Sequence, residues 1–189
     1  MKNKGFTFIE MLVVITATLI IIPSLFTIVF SIVRSQTKIF KITQAKKEGD
    51  YLLNVITTTI RNRAISIHSG QPVSETNKVC RDISDTTPYE GTAIYFNDDT
   101  NKWFGFLLEN SKVASASQVI SGNQYLTSNN TIVQNFSVAC RAGAAYSYAT
   151  VGILFDICYK TSTGTCYSLR SEDSAILHYQ TQVRLRNTY

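Results

Sequence analysis

The stretch Lys4-Gly5-Phe6-Thr7-Phe8-Ile9-Glu10-Met11-Leu12 opens a run from Met11 to Val33 that holds no charged residue, and it decides how this chain is organised. At about 1.5 Å per helical residue the run spans roughly 35 Å, enough to cross a bilayer. A secretory signal peptide has a shorter apolar core with a small-x-small cleavage site behind it, and neither feature is present. A plain anchor fits the length but leaves Glu10 unexplained. A carboxylate at the edge of a membrane span is costly unless paired, so an isolated acid there marks function by default. Pro23 lies inside the run, which predicts a kink or a loosened turn.

On the N-terminal side, Met1-Lys2-Asn3-Lys4-Gly5 is short and basic. A cut after Gly5 would give Phe6 a new α-amine at the start of the same helix, a natural partner for Glu10 within one chain or between neighbours. The residues Lys4 to Leu12 resemble the prepilin peptidase motif of type IV pilins, minor pilins and type II secretion pseudopilins. The resemblance implies that Gly5 ends a leader, that Phe6 is the methylated mature N-terminus, and that Glu10 is the carboxylate that recruits the subunit to a filament. It implies an α+β pilin-like fold, a long N-terminal helix packed on an antiparallel β-sheet head. The implied partners are the prepilin peptidase, other pilin or pseudopilin subunits, an inner-membrane assembly platform and membrane lipid. The implied location is a single-pass membrane protein with an extracytoplasmic head, later part of a periplasmic or extracellular filament of a pilus, secretion or competence system.

Beyond the apolar run, Ile39, Ile42, Ala45, Leu52, Ile56, Ile60, Ala64 and Ile67 recur mostly at three- and four-residue steps, with a gap at Lys46 to Asp50. This is the period of an amphipathic helix. It predicts one helix from about 6 to 67, weakened at Gly49 and ended by Ser69-Gly70-Gln71-Pro72. The expected organisation is a leader over 1–5, a transmembrane assembly helix over 6–33, its amphipathic continuation over 34–68 and a β-rich head over 69–189.

The formal charge is +5, and loss of Lys2 and Lys4 with a leader would lower it to +3. Most of the remaining excess clusters at Arg34, Lys38, Lys41, Lys46 and Lys47. This suits an anionic membrane surface or a polyanion such as DNA but identifies neither. Charge bias alone would place this basic flank in the cytoplasm. The cysteines, the N-terminal motif and the lack of a second apolar run favour an exported head instead.

Cys80, Cys140, Cys158 and Cys166 all lie in the polar region, and an even count behind an export-type N-terminus favours disulfides. Cys158 and Cys166 flank a loop with Gly164 at its turn, which would suit a short bridge, leaving Cys80 and Cys140 as the second pair. Four cysteines permit three pairings, and a four-cysteine zinc site is the rival, although no Cys-x-x-Cys is present. Thr92–Phe96 and Trp103–Leu108 read as a hairpin around a solvated turn at Asn97–Lys102. Thr131–Cys140, Val151–Tyr159 and Ala175–Arg186 read as further strands, with Cys166–Leu169 returning beside the second of these. The ending Gln180–Asn187 resembles the C-terminal strand of minor pilins and larger pseudopilins.

No metal-ligand spacing, nucleophile elbow or phosphate-binding glycine loop appears, and the two histidines, His68 and His178, stand apart in sequence. The expectation is a structural subunit, with no enzyme activity, cofactor or metal. A filament-tip module contacting DNA or a surface, or a major pilin, is the alternative.

Overall fold

In the computed structural model, residues 7–81, 88–142, 148–161, 164–166 and 175–185 are described. The chain divides into two units, Met1–Phe40 and Lys41–Tyr189. One helix, α1 (Phe8–Arg63), supplies the first unit and the opening turns of the second. Glu10 in its first turn and Arg61 and Arg63 in its last have the signs that complement the helix dipole.

Within the second unit α1 buries Ala45, Gly49, Leu52, Ile56 and Ile60. These positions advance by three or four residues and make one apolar stripe. The apparent gap between Lys46 and Asp50 is filled by Gly49. A side chain at that position would run into the ring of Tyr179. That ring stacks on Phe155 with centroids 5.0 Å apart, and its hydroxyl donates to the Lys46 carbonyl (3.1 Å) and to Asp50 Oδ1 (3.0 Å). Gly49 is therefore the seat of an aromatic ring, although helix propensity alone reads it as a weak point.

The head contains β1 (Ser66–His68), β2 (Lys78–Val79), β3 (Tyr89–Gly91), β4 (Ala93–Asn97) and β5 (Trp103–Glu109). It continues with β6 (Lys112–Ser117), β7 (Gln124–Tyr125), β8 (Thr131–Arg141), β9 (Thr150–Tyr159) and β10 (Ile176–Arg184). They form a six-stranded sheet in the order β2-β1-β4-β5-β6-β7 and a four-stranded sheet in the order β10-β9-β8-β3. Every neighbouring pair is antiparallel. Leu52, Ile56 and Ile60 of α1 share one core with Phe96, Phe104 and Phe106 of the first sheet and Val138, Ile153 and Phe155 of the second. The expected α+β architecture, a long N-terminal helix packed on an antiparallel β head, is the one observed.

The helix ends earlier than its periodicity predicts, which corrects the expected helical segment over 34–68. The Ala64 amide still donates to Ile60, but the Ile65 amide donates to the Asn97 carbonyl at 2.9 Å, and the chain enters the sheet as β1. Ala64 and Ile67 are both buried, so their spacing of three looks helical, yet it spans a change of structure. His68 accordingly lies in a strand. Its Nδ1 faces the Ser74 carbonyl (3.1 Å) and Asn77 Oδ1 (3.0 Å), two acceptors, which places the proton there and leaves Nε2 to accept from Ser66.

The hairpin turn differs from the expected solvated one. Asp98 is buried and accepts hydrogen bonds from Arg63 (2.8 Å), from the Thr100 amide and hydroxyl, and from the Lys102 amide. Burial alone would push its carboxyl up; the Arg63 guanidinium and the donors from Lys102 and Thr100 outweigh that and hold it well below the usual carboxylate range. The turn thus clamps the end of α1 to the β4–β5 hairpin. A second clamp is Glu48, which accepts from the Ser128 amide (3.0 Å) and hydroxyl (2.6 Å) and from the Thr131 hydroxyl (2.5 Å).

Cys80, just beyond β2, is bonded to Cys140 in β8, so this disulfide ties the two sheets together. Cys158 at the end of β9 is bonded to Cys166 across a separation of 8 residues. All four sulfurs are in these two bonds. Of the expected return strand, Cys166 is not in a strand, and 167–169 lie outside the described residues.

Candidate assembly segment

Gly5 and Phe6, the expected processing junction, lie outside the described residues. From Thr7 on, the segment is built by its own sequence. The Thr7 amide and hydroxyl donate to Glu10 Oε2 at 2.9 and 2.8 Å, and the Glu10 amide donates back to Thr7 Oγ1 at 3.3 Å. This reciprocal arrangement is a capping box, in which the threonine and the glutamate three residues later each satisfy an amide that the first turn leaves without a helical partner. The signal, Thr7-Phe8-Ile9-Glu10, is legible in the sequence as the spacing of a capping box. Glu10 itself is exposed at the helix start.

From Phe8 to Val33 the large apolar side chains point outward on every face of the helix and are exposed. The helix is long and apolar enough to cross a membrane, and none of its most apolar window is buried. Four of the five hydroxyls between Phe8 and Val33 are neutralised locally. Thr16, Thr18, Ser24 and Thr27 each donate to a carbonyl three or four residues back, so none presents an unsatisfied donor to an apolar surrounding. The helix continues through Pro23, and Thr27 donates to the Pro23 carbonyl at 3.0 Å.

The other sequence candidates fall elsewhere. The four cysteines belong to the head and stabilise it. His178 lies on the exposed side of β10, where its Nδ1 is 2.6 Å from Asp156 Oδ1, and Asn135 donates to the other oxygen of that carboxylate at 2.7 Å. Asn135 adopts a positive φ at a bulge in β8, which turns its amide toward Asp156. No group of three or more metal-ligating side chains occurs among the described residues.

An all-round apolar helix with one acid in its capped first turn, leading into a disulfide-bonded antiparallel head, defines the class: a helix-anchored β-head protein. Residues 1–22 match the family described as the prokaryotic N-terminal methylation motif, and that match supports a type IV prepilin-like protein. No curated protein and no solved structure matches the chain. The motif suggests a structural subunit rather than an enzyme.

Proposed function

We propose that this protein is a structural subunit, a minor pilin or pseudopilin, of a type IV pilus-like filament. It waits in the membrane with its head outside the cytoplasm. A prepilin peptidase cuts after Gly5, and Phe6 becomes the methylated N-terminus. The freed helix then leaves lipid for a bundle of neighbouring helices at the assembly platform. The observation that carries this reading is the pairing of a helix that is apolar and exposed all round with a single carboxylate, Glu10, in its first turn.

In such a bundle Glu10 loses contact with water. An unpaired buried carboxylate is heavily penalised, so it must find a positive partner, and the α-amine of a neighbour's Phe6 has the right sign and position. Misregistered subunits leave the acid unpaired, so the same charge selects axial register. Thr7 occupies one Glu10 oxygen in the isolated chain and leaves the other for that amine.

The test is Glu10→Ala in cells that assemble the filament. The expected result is a precursor that is cut and shifted on a gel but missing from sheared filaments. Normal incorporation of the variant would sink the assembly role. A bulky replacement of Gly5 should leave the precursor uncut.

A further inference from the structure

The outer face of the four-stranded sheet carries a trough whose floor no packing requirement explains. Gly49, Gly91 and Gly105 are each hemmed in by a tyrosine ring, of Tyr179, Tyr89 and Tyr95 respectively, so the fold itself demands glycine there. Gly152, the third residue of β9, is different. Its backbone is not in the left-handed region, and an added Cβ would meet nothing closer than the Ala139 carbonyl oxygen at 3.7 Å, an ordinary contact. Glycine weakens a strand interior and often marks the close approach of a ligand or another backbone.

What surrounds Gly152 is polar and ordered by the sheet register. Gln182, Gly152, Ala139 and Glu90 lie side by side across β10, β9, β8 and β3. The next line across holds Gln180, Leu154 and Ser137. Ser137 donates to Glu90 Oε1 at 3.1 Å, which fixes the carboxylate along one wall. Arg141 and Thr150 close one end, and the open trough has a volume of about 440 Å³.

The lining discriminates among ligands. Over Gly152 the only charge is Glu90, while Arg141 and, paired with Thr150 on the same face, Arg184 stand together at one end, so the floor itself offers no cation to a phosphate and nucleic acid binding rests on neutralised phosphates. Gln180 and Gln182 stand two residues apart on one side of β10, and each amide both donates and accepts. A row of hydroxyls, each also donor and acceptor, matches them. Leu154 is partly exposed beside them and offers an apolar contact for the C–H face of a sugar ring, while Gly152 and Ala139 let that ring lie against the backbone. We propose that the outer face of the β10-β9-β8-β3 sheet is a binding site for a neutral carbohydrate chain, seated over Gly152 between the glutamines of β10 and Glu90.

This proposal does not depend on filament incorporation, which is scored separately by the Glu10 variant. The full-length protein, held in a detergent without a sugar headgroup, is titrated by calorimetry with neutral hexasaccharides of glucose and of N-acetylglucosamine, and with double-stranded DNA across a salt series. At least one hexasaccharide should bind saturably and with little salt dependence. Gly152→Val should weaken that binding by about tenfold or more, while its thermal midpoint holds or rises because a β-branched residue suits the strand. Gln182→Ala should weaken it as well. The proposal is overturned if neither hexasaccharide binds, if both variants bind as the parent does, or if only DNA binds.

Discussion

Two stretches of the same helix, Phe8–Val33 and Lys41–Arg63, solve opposite problems. The first is apolar on every face and buries none of its most apolar window. The second is apolar on one stripe, and that stripe is almost wholly covered by the head. Both are helical, so secondary structure does not distinguish them. The distribution of apolar residues around the axis does: an all-round apolar helix requires an apolar solvent, and a one-sided helix requires a partner surface. The polar side chains follow the same division. In the first stretch Thr16, Thr18, Ser24 and Thr27 turn back on carbonyls of their own helix, whereas Glu48, Asp50 and Arg63 in the second reach across to the head.

The sharpest way to break this contrast is to truncate one apolar side chain in each stretch. Ile56→Ala should cost about 2–5 kcal/mol of head stability by urea unfolding, because it opens a cavity in a closed core. Ile20→Ala, the same chemical change in the first stretch, should leave the head's unfolding midpoint unmoved. A comparable loss in both variants would mean that the stretches are not energetically separate.

Next in size is Gly49→Leu. The new side chain occupies the seat of the Tyr179 ring, so overpacking should destabilise the head by about 1–3 kcal/mol. If helix propensity governed that position, the substitution would stabilise instead, so the sign of the change decides between the two accounts.

The clamp at Asp98 should appear as acid sensitivity. Its folded pKa is depressed, so its contribution is fully present above the unfolded value of about 3.9 and is lost as pH falls below that toward the folded value. Asp98→Asn should flatten this part of the pH–stability curve. An unchanged acid limb would remove the Arg63–Asp98 clamp from the account.

The smallest effect is at high pH. Burial, followed by the hydrogen bond to Asp50 and its charge, pushes Tyr179 up to about 12. Unfolded tyrosine ionises near 10, so this contribution is complete below about 10 and is lost as pH rises toward 12. Ultraviolet titration should show one late-ionising tyrosine, and Asp50→Asn should bring it earlier.

Much of the fold was legible because the strong signals are local. The helix from Phe8, the β4–β5 hairpin and the long strands β8, β9 and β10 each carry their own periodicity or turn chemistry. The strands that sequence reasoning missed do not. β6 reads Lys-Val-Ala-Ser-Ala-Ser, with little β propensity, and is a strand because Ala114 and Ala116 pair with Leu107 and Gly105 of β5. β1 was hidden in the tail of a helical pattern, since its register is fixed by pairing with β4. In the assembly segment Glu10 stood out at once as the acid before a charge-free run. Thr7 did not, although its spacing to Glu10 is that of a capping box, because an amine at the helix start accounts for the carboxylate equally well.

By itself, the sequence determined the anchor-type helix, the lone acid at its start and the α+β class, because charge, apolar length and local period act over a few residues. Only the tertiary structure decided where the helix gives way to β1, why Gly49 and Asp98 stand where they do, and which of the three cysteine pairings forms. Those outcomes depend on groups far apart in the chain, such as Gly49 with Tyr179 and Cys80 with Cys140, whose meeting is fixed by the packing of the whole head and by no local pattern.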